Sequence, residues 1–273
     1  MDSVESRRSA IVAWINEKGE VTFAQLKEAF PNVSDMTLRT DLKNLDDNKR
    51  IVRIHGGARS VDVVVGTDDF MSRRSIRNVD AKKAIIMKAK EMIVPGTSIF
   101  LDSGSTTTML AAELDDQPNL IVTSSISCAM ELAGLEKPRV LITGGSLNRY
   151  SLSICGSQGI SELQKMTFDL AFIGVTTYDE GSGFACNVYE ESLLKQTVIN
   201  RALKTIVLMD STKVGKHSTF TFGTLKDVDV VISDGGLPES FLAAFRENDV
   251  EVLYNRNLTF GTVSHKIISH AGP

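Results

Sequence analysis

The sequence predicts an α/β protein in which a small N-terminal domain of helices with a wing precedes a larger domain built around a mostly parallel sheet. Three observations support this fold class. Apolar residues in the first fifty positions recur at helical spacing in three separate segments. A short alternating run and a pair of glycines follow, which is typical of a strand and a tight turn. Beyond residue 95, short apolar runs alternate with helical segments, which is the pattern of βαβ units with both sheet faces covered.

The first two helices are predicted from local signals. Ile11 and Ile15 lie four residues apart in a helical stripe over residues 7–16. Thr22, followed three residues later by Gln25, fits a capping box at the start of a second helix.

A third helix is predicted from Ser34, which can cap it, to about Leu45. Its apolar positions recur at spacings of four and three, and its other face is polar. The alternating run 51–54 and the glycines after it then predict a strand and turn. This is the outline of a helix-turn-helix with a wing, although a three-helix interaction module with a solvated polar face fits the same pattern.

Two segments of this region resemble the signature of the DeoR family of bacterial transcription regulators: the run from Val33 to Leu42 and the run from Arg53 to Ala58. The family usually has a second Arg where this chain has Thr40, and Pro31-Asn32 makes the turn look one residue longer than usual. The resemblance implies that residues 1–60 form a winged helix-turn-helix domain that binds double-stranded operator DNA.

A recognition helix enters the major groove with its N-terminal part nearest the base edges, and basic or hydroxyl groups contact phosphates. Arg39 is therefore the first candidate for base or phosphate recognition. We assign a structural role to Asp41, because a carboxylate beside basic residues can orient Arg side chains. The predicted DNA-binding residues are Ser34, Thr37, Arg39, Thr40 and Lys43 on the helix, with Arg53, His55, Gly56 and Gly57 in the wing.

Residues 61–79 are predicted to be a linker, because periodicity is lost there before a helix that starts at Asp80 and ends near Ile93. The linker contains Arg73, Arg74 and Arg77, which either touch DNA or are solvated, and we favour solvation. An effector-sensing domain is predicted over residues 80–254, followed by a tail of residues 255–273 without a clear motif.

Six apolar runs in the larger domain predict strands. Ligands of such sheets bind beyond the carboxyl ends of the strands, where the strand order reverses. The six predicted strands are Ile99–Leu101, Leu120–Thr123, Val140–Ile142, Leu170–Ile173, Thr205–Met209 and Val228–Ile232.

Small and hydroxyl-bearing residues follow four of these strands, which predicts a binding crevice. The loop from Asp102 to Thr108, before a helix expected to begin near Met109, can hold a phosphate. The reason is that backbone amides at a helix N-terminus point outward and the dipole there favours anions. Neither a Walker loop nor a dinucleotide fingerprint is present.

Charged residues complete the predicted crevice. Glu191 and Lys195 have the i, i+4 spacing that most often forms a surface salt bridge. Lys213 follows a buried strand beside Gly215, where a merely solvated charge is less expected.

These positions also resemble the DeoR sensor domain, which has a D-x-G-[ST]-T-T loop, a Gly-Gly pair, an E-x-x-x-K helix and a D-x-[ST]-K-x-G loop. The resemblance implies the fold of sugar-phosphate isomerases and CoA transferases, and a phosphorylated sugar or related metabolite as effector. It also implies that Lys213 neutralises the phosphate and that Glu191 and Lys195 face the sugar. The predicted effector-binding residues are Asp102, Gly104, Ser105, Thr106, Thr107, Ser124, Gly144, Gly145, Gly174, Glu191, Lys195 and Lys213.

Two functions fit these residues. Asp102, Glu191 and Lys213 around a phosphate are acid–base groups that a sugar-phosphate isomerase needs. The fused winged helix instead favours a transcription regulator, because a DNA-binding domain joined to a metabolite pocket gives ligand-controlled DNA binding. We therefore expect a protein that is not an enzyme, with repression of a carbohydrate-metabolism operon as the family's usual mode. A homodimer or homotetramer is expected to bind paired half-sites.

Composition limits the remaining possibilities. The 273 residues carry a net charge of −4, so charge alone does not indicate DNA binding. The sequence contains neither an apolar run of membrane-spanning length nor a signal peptide, which predicts a cytoplasmic protein without a membrane partner. Its three cysteines are far apart and are expected to be reduced and mostly buried. We expect neither a cofactor nor a metal site.

Overall fold

The computed structural model describes residues 4–18, 20–48, 50–54, 56–60 and 71–254. The predicted wing residue His55, most of the predicted linker and the predicted C-terminal tail lie outside these residues. The N-terminal part consists of helices α1 (Val4–Lys18), α2 (Phe23–Ala29) and α3 (Asp35–Asp47), with strands β1 (Glu20–Thr22), β2 (Val52–Ile54) and β3 (Gly57–Arg59).

Local signals determine where the N-terminal helices begin. Thr22 and Gln25 form the predicted capping box of α2, and the Ser34 side chain accepts a hydrogen bond from the Thr37 amide at the start of α3. The three strands form an antiparallel sheet in the order β1-β3-β2, which is the predicted wing with one additional strand. Their apolar residues pack with those of the helices in one core that includes Ile11, Ile15, Leu26, Leu38, Leu42 and Leu45.

The larger part opens with two helices, α4 (Met71–Ile76) and α5 (Val79–Lys90). Helix α4 falls within the segment predicted to be a linker. The remaining elements follow in chain order: β4 (Ser98–Leu101), α6 (Ser105–Ala112), β5 (Leu120–Thr123), α7 (Ile126–Leu132), β6 (Arg139–Ile142), β7 (Ser146–Asn148), β8 (Ser153–Cys155), α8 (Ser157–Leu163), β9 (Leu170–Gly174), β10 (Thr177–Asp179), β11 (Gly183–Cys186), α9 (Tyr189–Ile199), β12 (Thr205–Leu208), β13 (Phe220–Gly223), β14 (Val230–Ile232), α10 (Glu239–Glu247) and β15 (Glu251–Leu253).

Seven of these strands form the main sheet, in the order β15-β14-β12-β9-β4-β5-β6, and every neighbouring pair is parallel. The six predicted strands are all in it, so the predicted α/β fold class with a mostly parallel sheet is confirmed. The chain adds strands on one side of β4 as far as β6 and then continues on the other side with β9. The strand order therefore reverses between β4 and β9, which is where the two strands' carboxyl ends leave a crevice.

Helices cover both faces of the main sheet. Side chains of β4 alternate between the two faces: Phe100 packs into one apolar cluster, and Ile99 and Leu101 pack into the other. The first cluster includes residues of α8, α9 and α10, and the second includes residues of α5, α6 and α7. Burial on both faces explains why these strands are continuous apolar runs rather than alternating ones.

The structure differs from the prediction in two further ways. Helix α6 begins at Ser105 and not near Met109, so the hydroxyl-rich residues form its first turn instead of a loop. Several short strands were also not predicted: the hairpin β7–β8, the small antiparallel sheet β10-β11-β13, and the edge strand β15. Each is only three or four residues long, which is too short for a clear periodic pattern.

The cysteines agree with the prediction. Cys128, Cys155 and Cys186 are free and buried. Burial raises the pKa of Cys155 to about 12 and that of Cys186 to about 11, so both remain protonated thiols near neutral pH.

Candidate DNA-binding surface and effector cavity

Helix α3 presents a polar face beside its buried leucines. Arg39, Thr40 and Lys43 are exposed, and Thr37 is partly exposed near the capped N-terminus of the helix. Thr37 and Ser34 share a hydrogen bond between their hydroxyl oxygens of 2.8 Å. The Thr40 hydroxyl donates to the Met36 carbonyl at 2.9 Å, so its proton is already engaged while its oxygen can still accept.

The Arg39 guanidinium stacks on an aromatic ring. Its central carbon lies 4.3 Å from the centroid of the Phe23 ring, which belongs to α2. This contact orients the side chain without neutralising its charge, because the ring contributes only its quadrupole. Arg39 is therefore presented at the surface as an oriented cation.

Asp41 has the structural role predicted for it. The residue is 1% exposed, and its carboxylate accepts hydrogen bonds from Arg7 Nε at 2.7 Å and Arg8 Nε at 2.8 Å. Burial by itself raises the pKa of Asp41, but the hydrogen bonds from the two arginines outweigh it and leave the pKa below its ordinary value. The carboxylate thus joins α1 to α3 and does not face the polar surface.

The wing residues have different environments. Arg53 is exposed on β2, and its backbone amide donates to Asp46 Oδ1 at 3.1 Å. Gly56 is exposed in the turn with φ +79°, which favours glycine. Gly57 is buried, and a Cβ there would lie 2.1 Å from the Val21 carbonyl oxygen, so this glycine allows β1 to approach β3.

A cavity lies where the strand order of the main sheet reverses. It is partly open to solvent. The residues that follow β4, β9 and β12 form one side, and α4 with the start of α5 forms the other. The lining residues are Gly104, Ser105, Thr106, Thr107, Gly174, Val175, Leu208, Met209, Asp210 and Lys213, with Arg74, Arg77, Asn78 and Lys82.

The first turn of α6 supplies backbone donors to this cavity. The first amides of a helix have no acceptor within the helix, and Ser105, Thr106 and Thr107 occupy these positions. The hydroxyls of Thr107 and Thr108 both donate to the Gly104 carbonyl, at 2.9 and 2.8 Å, and this fixes the start of the helix. The amides and the helix dipole together favour an anion here.

Cationic side chains dominate the cavity. Arg74, Arg77, Lys82 and Lys213 line it, and Asp210 is the one acidic residue among the lining side chains of the described chain. Asp210 Oδ1 is engaged by the Thr212 amide at 3.1 Å and by the Thr212 hydroxyl. The lining side chains therefore carry a net positive charge.

Two lysines in the cavity have lowered pKa values. The pKa of Lys82 is lowered to about 8, mainly by burial and also by the charges of Lys213, Arg74 and Arg77, while Asp210 opposes the shift. Burial also lowers the pKa of Lys213, and Arg74 and Arg77 add to this effect. An anion in the cavity would oppose both shifts, because it favours the charged form of each lysine.

A buried ion pair lies directly behind Gly174. Asp102 and Lys195 are 1% and 2% exposed and form a salt bridge through Asp102 Oδ2 and Lys195 Nζ. Gly174 connects to both, since its amide donates to Asp102 at 2.8 Å and its carbonyl accepts from Lys195 at 3.0 Å. Burial lowers the pKa of Lys195, but the Asp102 carboxylate outweighs this and raises it, which keeps the lysine charged.

Glu191 and Lys195 do not form the surface salt bridge that their spacing suggests. Both are buried, and Glu191 Oε1 instead accepts hydrogen bonds of 2.6 Å from the hydroxyls of Ser151 and Ser153. Neither Glu191 nor Lys195 lines the cavity.

Three other predicted effector residues lie away from the cavity and shape the hairpin β7–β8. The Ser124 carbonyl accepts from the Ile154 amide at 2.7 Å. The Gly144 amide donates to Glu162 at 3.1 Å, and Gly145 has φ +145° at a point where a Cβ would lie 2.3 Å from the Cys155 carbonyl oxygen. Of the twelve predicted effector residues, the cavity is lined by Gly104, Ser105, Thr106, Thr107, Gly174 and Lys213.

Sequence reasoning missed the residues that α4 and α5 contribute. From the sequence, Arg74 and Arg77 are expected to be solvated linker residues, and Asn78 and Lys82 carry no motif. All four line the cavity in the structure. The sequence shows only a group of basic residues before the predicted helix that starts at Asp80. Such a group is equally typical of a solvated linker and of a segment that lines a binding site.

Two further properties concern the described residues as a whole. Each helix among them is too short or too polar to cross a lipid bilayer. The described part of the chain also lacks any group of three His, Cys, Asp or Glu side chains placed to hold a metal ion.

Comparisons with known proteins match both parts of the chain. A family model described as the DeoR C-terminal sensor domain matches residues 77–235, and one described as a DeoR-like helix-turn-helix domain matches residues 7–64. The chain is 31% identical over 249 residues to the uncharacterized HTH-type transcriptional regulator YulB of Bacillus subtilis, covering 91% of this chain and 96% of that one. It is 27% identical over 247 residues to the glycerol-3-phosphate regulon repressor of Escherichia coli K12, covering 90% and 97%. Among solved structures, ribose 5-phosphate isomerase A of Methanocaldococcus jannaschii is similar with a TM-score of 0.38 and 19% identity, over 50% of this chain and 55% of that one.

Proposed function

Because this chain belongs to the DeoR family of transcriptional regulators, we propose that it represses a carbohydrate-metabolism operon and that a phosphorylated sugar or related metabolite controls its DNA binding. The helix-turn-helix domain implies DNA binding, and the sensor domain implies a small-molecule effector. The glycerol-3-phosphate regulon repressor, similar over nine-tenths of this chain, supports a phosphorylated effector.

The observation that supports a phosphate most directly is the cationic cavity at the start of α6. Four cationic side chains and the first amides of a helix surround it, with one carboxylate among the lining groups. A phosphate monoester carries close to two negative charges and several acceptor oxygens, which match this set of donors.

Isomerase chemistry is not supported by the same geometry. Asp102 is bound to Lys195, Glu191 is bound to two serines, and neither acid lines the cavity. The family consists of regulators and not of enzymes, which agrees with this arrangement.

For the DNA-binding domain we propose that α3 enters the major groove, with Arg39, Thr37 and Lys43 toward bases and phosphates and Arg53 on the adjacent backbone. A homodimer or homotetramer would place two such helices on paired half-sites.

The effector is tested with a thermal-shift screen of the purified chain against ribose, glucose, fructose and glycerol phosphates. Each unphosphorylated sugar or glycerol serves as the matched control. A ligand at 100 times its dissociation constant stabilises the fold by roughly 2.7 kcal/mol, so a specific effector should raise Tm measurably. Stabilisation by the unphosphorylated compounds alone would contradict the proposal, and so would conversion of a sugar phosphate at enzyme-like rates.

A further inference from the structure

Helix α4 and the turn after it lie against the effector cavity although they belong to the segment that leads from the DNA-binding domain. We propose that Arg74 and Arg77 of this segment bind the anionic group of the effector, so that the ligand holds α4 against the sensor domain. This inference rests on the proposed function, because it assigns two further ligand-binding residues and a route of regulation to the same cavity.

The position of Arg74 supports direct contact with the ligand. Its Nη2 atom lies 3.4 Å from the point that a Cβ on Gly104 would occupy, which places the guanidinium at the start of α6. The first-turn amides of α6 and this guanidinium therefore face the same space. Arg77 lines that space as well, one helical turn further along the chain.

Four hydrogen bonds hold the end of α4 and the turn after it on the sensor domain. The Lys82 ammonium donates to the carbonyls of both Arg74 and Arg77, which are near the end of α4. The Asn78 side chain donates to Asp210 and to Thr212, at 3.2 Å in each case. The Lys82 bonds join α4 to α5, and the Asn78 bonds join the turn after α4 to the loop after β12, which also holds Lys213.

The start of α4 is held by a different part of the domain. The Met71 amide donates to the Tyr150 carbonyl at 2.8 Å, and the Met71 side chain is 5% exposed. Tyr150 lies in the turn between β7 and β8. Helix α4 is thus attached at both ends, and Arg74 and Arg77 line the cavity between these attachments.

The negative charge of the ligand favours the docked position of α4. Four cations, Arg74, Arg77, Lys82 and Lys213, line one cavity and therefore repel one another. In agreement with this, Arg74 and Arg77 disfavour the charged forms of Lys82 and Lys213 and lower the pKa of each lysine. This repulsion opposes the docking of α4, and an anion between the cations removes it. Ligand binding and docking of α4 are therefore linked, and each must favour the other to the same extent.

The test uses inorganic phosphate as the probe, with chloride at equal ionic strength as the reference. The full-length wild-type chain is compared with the double variant Arg74→Gln/Arg77→Gln, with Lys213→Gln and with Arg139→Gln. Arg139 is an exposed arginine at the start of β6 that does not line the cavity, so its variant is a matched control for loss of charge. Phosphate affinity is measured by calorimetric titration, and hydrogen exchange follows the amides of residues 71–78.

We expect the double variant to bind phosphate at least roughly tenfold more weakly, and Arg139→Gln to bind it as the wild type does. Phosphate should also slow hydrogen exchange of residues 71–78 in the wild type. If Lys213→Gln weakens binding while the double variant binds normally, the inference is wrong and the proposed cavity stands. If the wild type does not bind phosphate, both are wrong. The wild-type exchange measurement does not depend on the folding of any variant, and unchanged exchange on saturation with phosphate overturns the inference.

Discussion

At the scale of single residues, the Arg39 guanidinium lies at the protein surface, stacked on the Phe23 ring. Substitution of Arg39 therefore tests how much this side chain contributes to DNA binding. We expect Arg39→Ala to weaken binding to a duplex selected by the wild-type protein about 5- to 150-fold, which corresponds to about 1–3 kcal/mol. The salt dependence of binding should decrease as well if the guanidinium contacts phosphate. A mobility-shift titration at several salt concentrations measures both quantities.

The control for Arg39 is Arg246→Ala, because Arg246 is an exposed arginine of α10 in the sensor domain. Phe23→Leu should have a smaller effect than Arg39→Ala, since it removes the stack and leaves the charge. If Arg39→Ala binds the duplex with unchanged affinity, Arg39 does not contribute to the DNA interface.

Asp41 affects the stability of the N-terminal domain and its dependence on pH. Asp41→Asn should destabilise this domain by about 1–3 kcal/mol, because Arg7 and Arg8 lose their charged acceptor. The pKa of Asp41 is lowered in the folded state, so its stabilisation is present above the unfolded-state pKa and is lost as pH falls through the folded-state pKa. Urea unfolding of the full-length wild type and the full-length variant from pH 7 to pH 3 should show the difference in stability between them shrinking at acidic pH. A constant difference would contradict this explanation.

At the scale of elements, the start of α6 and the loop after β12 converge from different parts of the sheet on one cavity. Thr106→Val and Lys213→Ala should leave DNA binding near wild type and make it insensitive to the effector. Loss of one charge-assisted contact should cost about 1.5–3 kcal/mol, or roughly 10- to 150-fold in effector affinity. The effector is titrated against a complex with labelled duplex while anisotropy is followed. A wild-type midpoint in both variants would place the phosphate elsewhere.

The start of α5 contributes Lys82, and its pKa of about 8 predicts how effector binding depends on pH. A bound anion raises this pKa, so affinity should be highest below pH 8 and should decrease as pH rises above it, by at most about tenfold per unit for one proton. Calorimetric titrations between pH 7.5 and 9.5 measure this slope, because a phosphate monoester does not titrate there. Lys82→Met should flatten the slope, whereas Lys83→Met, at an exposed position of the same helix, should not. Equal slopes in both variants would argue against Lys82 as the titrating group.

At the scale of the whole molecule, α4 connects the cavity to the chain that leads from the DNA-binding domain. The DNA affinity of the double variant Arg74→Gln/Arg77→Gln is first compared with that of the wild type in the absence of effector. The response of the double variant to the effector should be shifted to at least roughly tenfold higher concentrations. Anisotropy titrations of the full-length protein on the selected duplex measure both properties, with Arg139→Gln as control. If the double variant responds to the effector as the wild type does, α4 does not take part in the regulation.

Local features of the fold were predictable because neighbouring residues determine them. The capping box at Thr22 and the cap at Ser34 each involve residues three positions apart, and both are present as predicted. The six apolar strands were predictable because burial on both faces requires continuous apolar runs. The start of α6 was not, since serine and threonine are poor helix formers, and here their backbone and hydroxyl bonds to Gly104 favour the helix.

The sequence by itself therefore determined the fold class, the helix-turn-helix with its wing, and the loops at the carboxyl ends of the strands. Tertiary structure alone decided which charged side chains meet. Lys195 pairs with Asp102, 93 residues away, and not with Glu191 four residues away. The start of α6 and Lys213 meet in one cavity because β4, β9 and β12 are neighbours in the main sheet, and Arg74 and Arg77 line the same cavity. Charged residues that are distant in sequence meet because the strand order brings them together and because burial disfavours a charge without a partner. The spacing of residues along the chain encodes neither the strand order nor the burial.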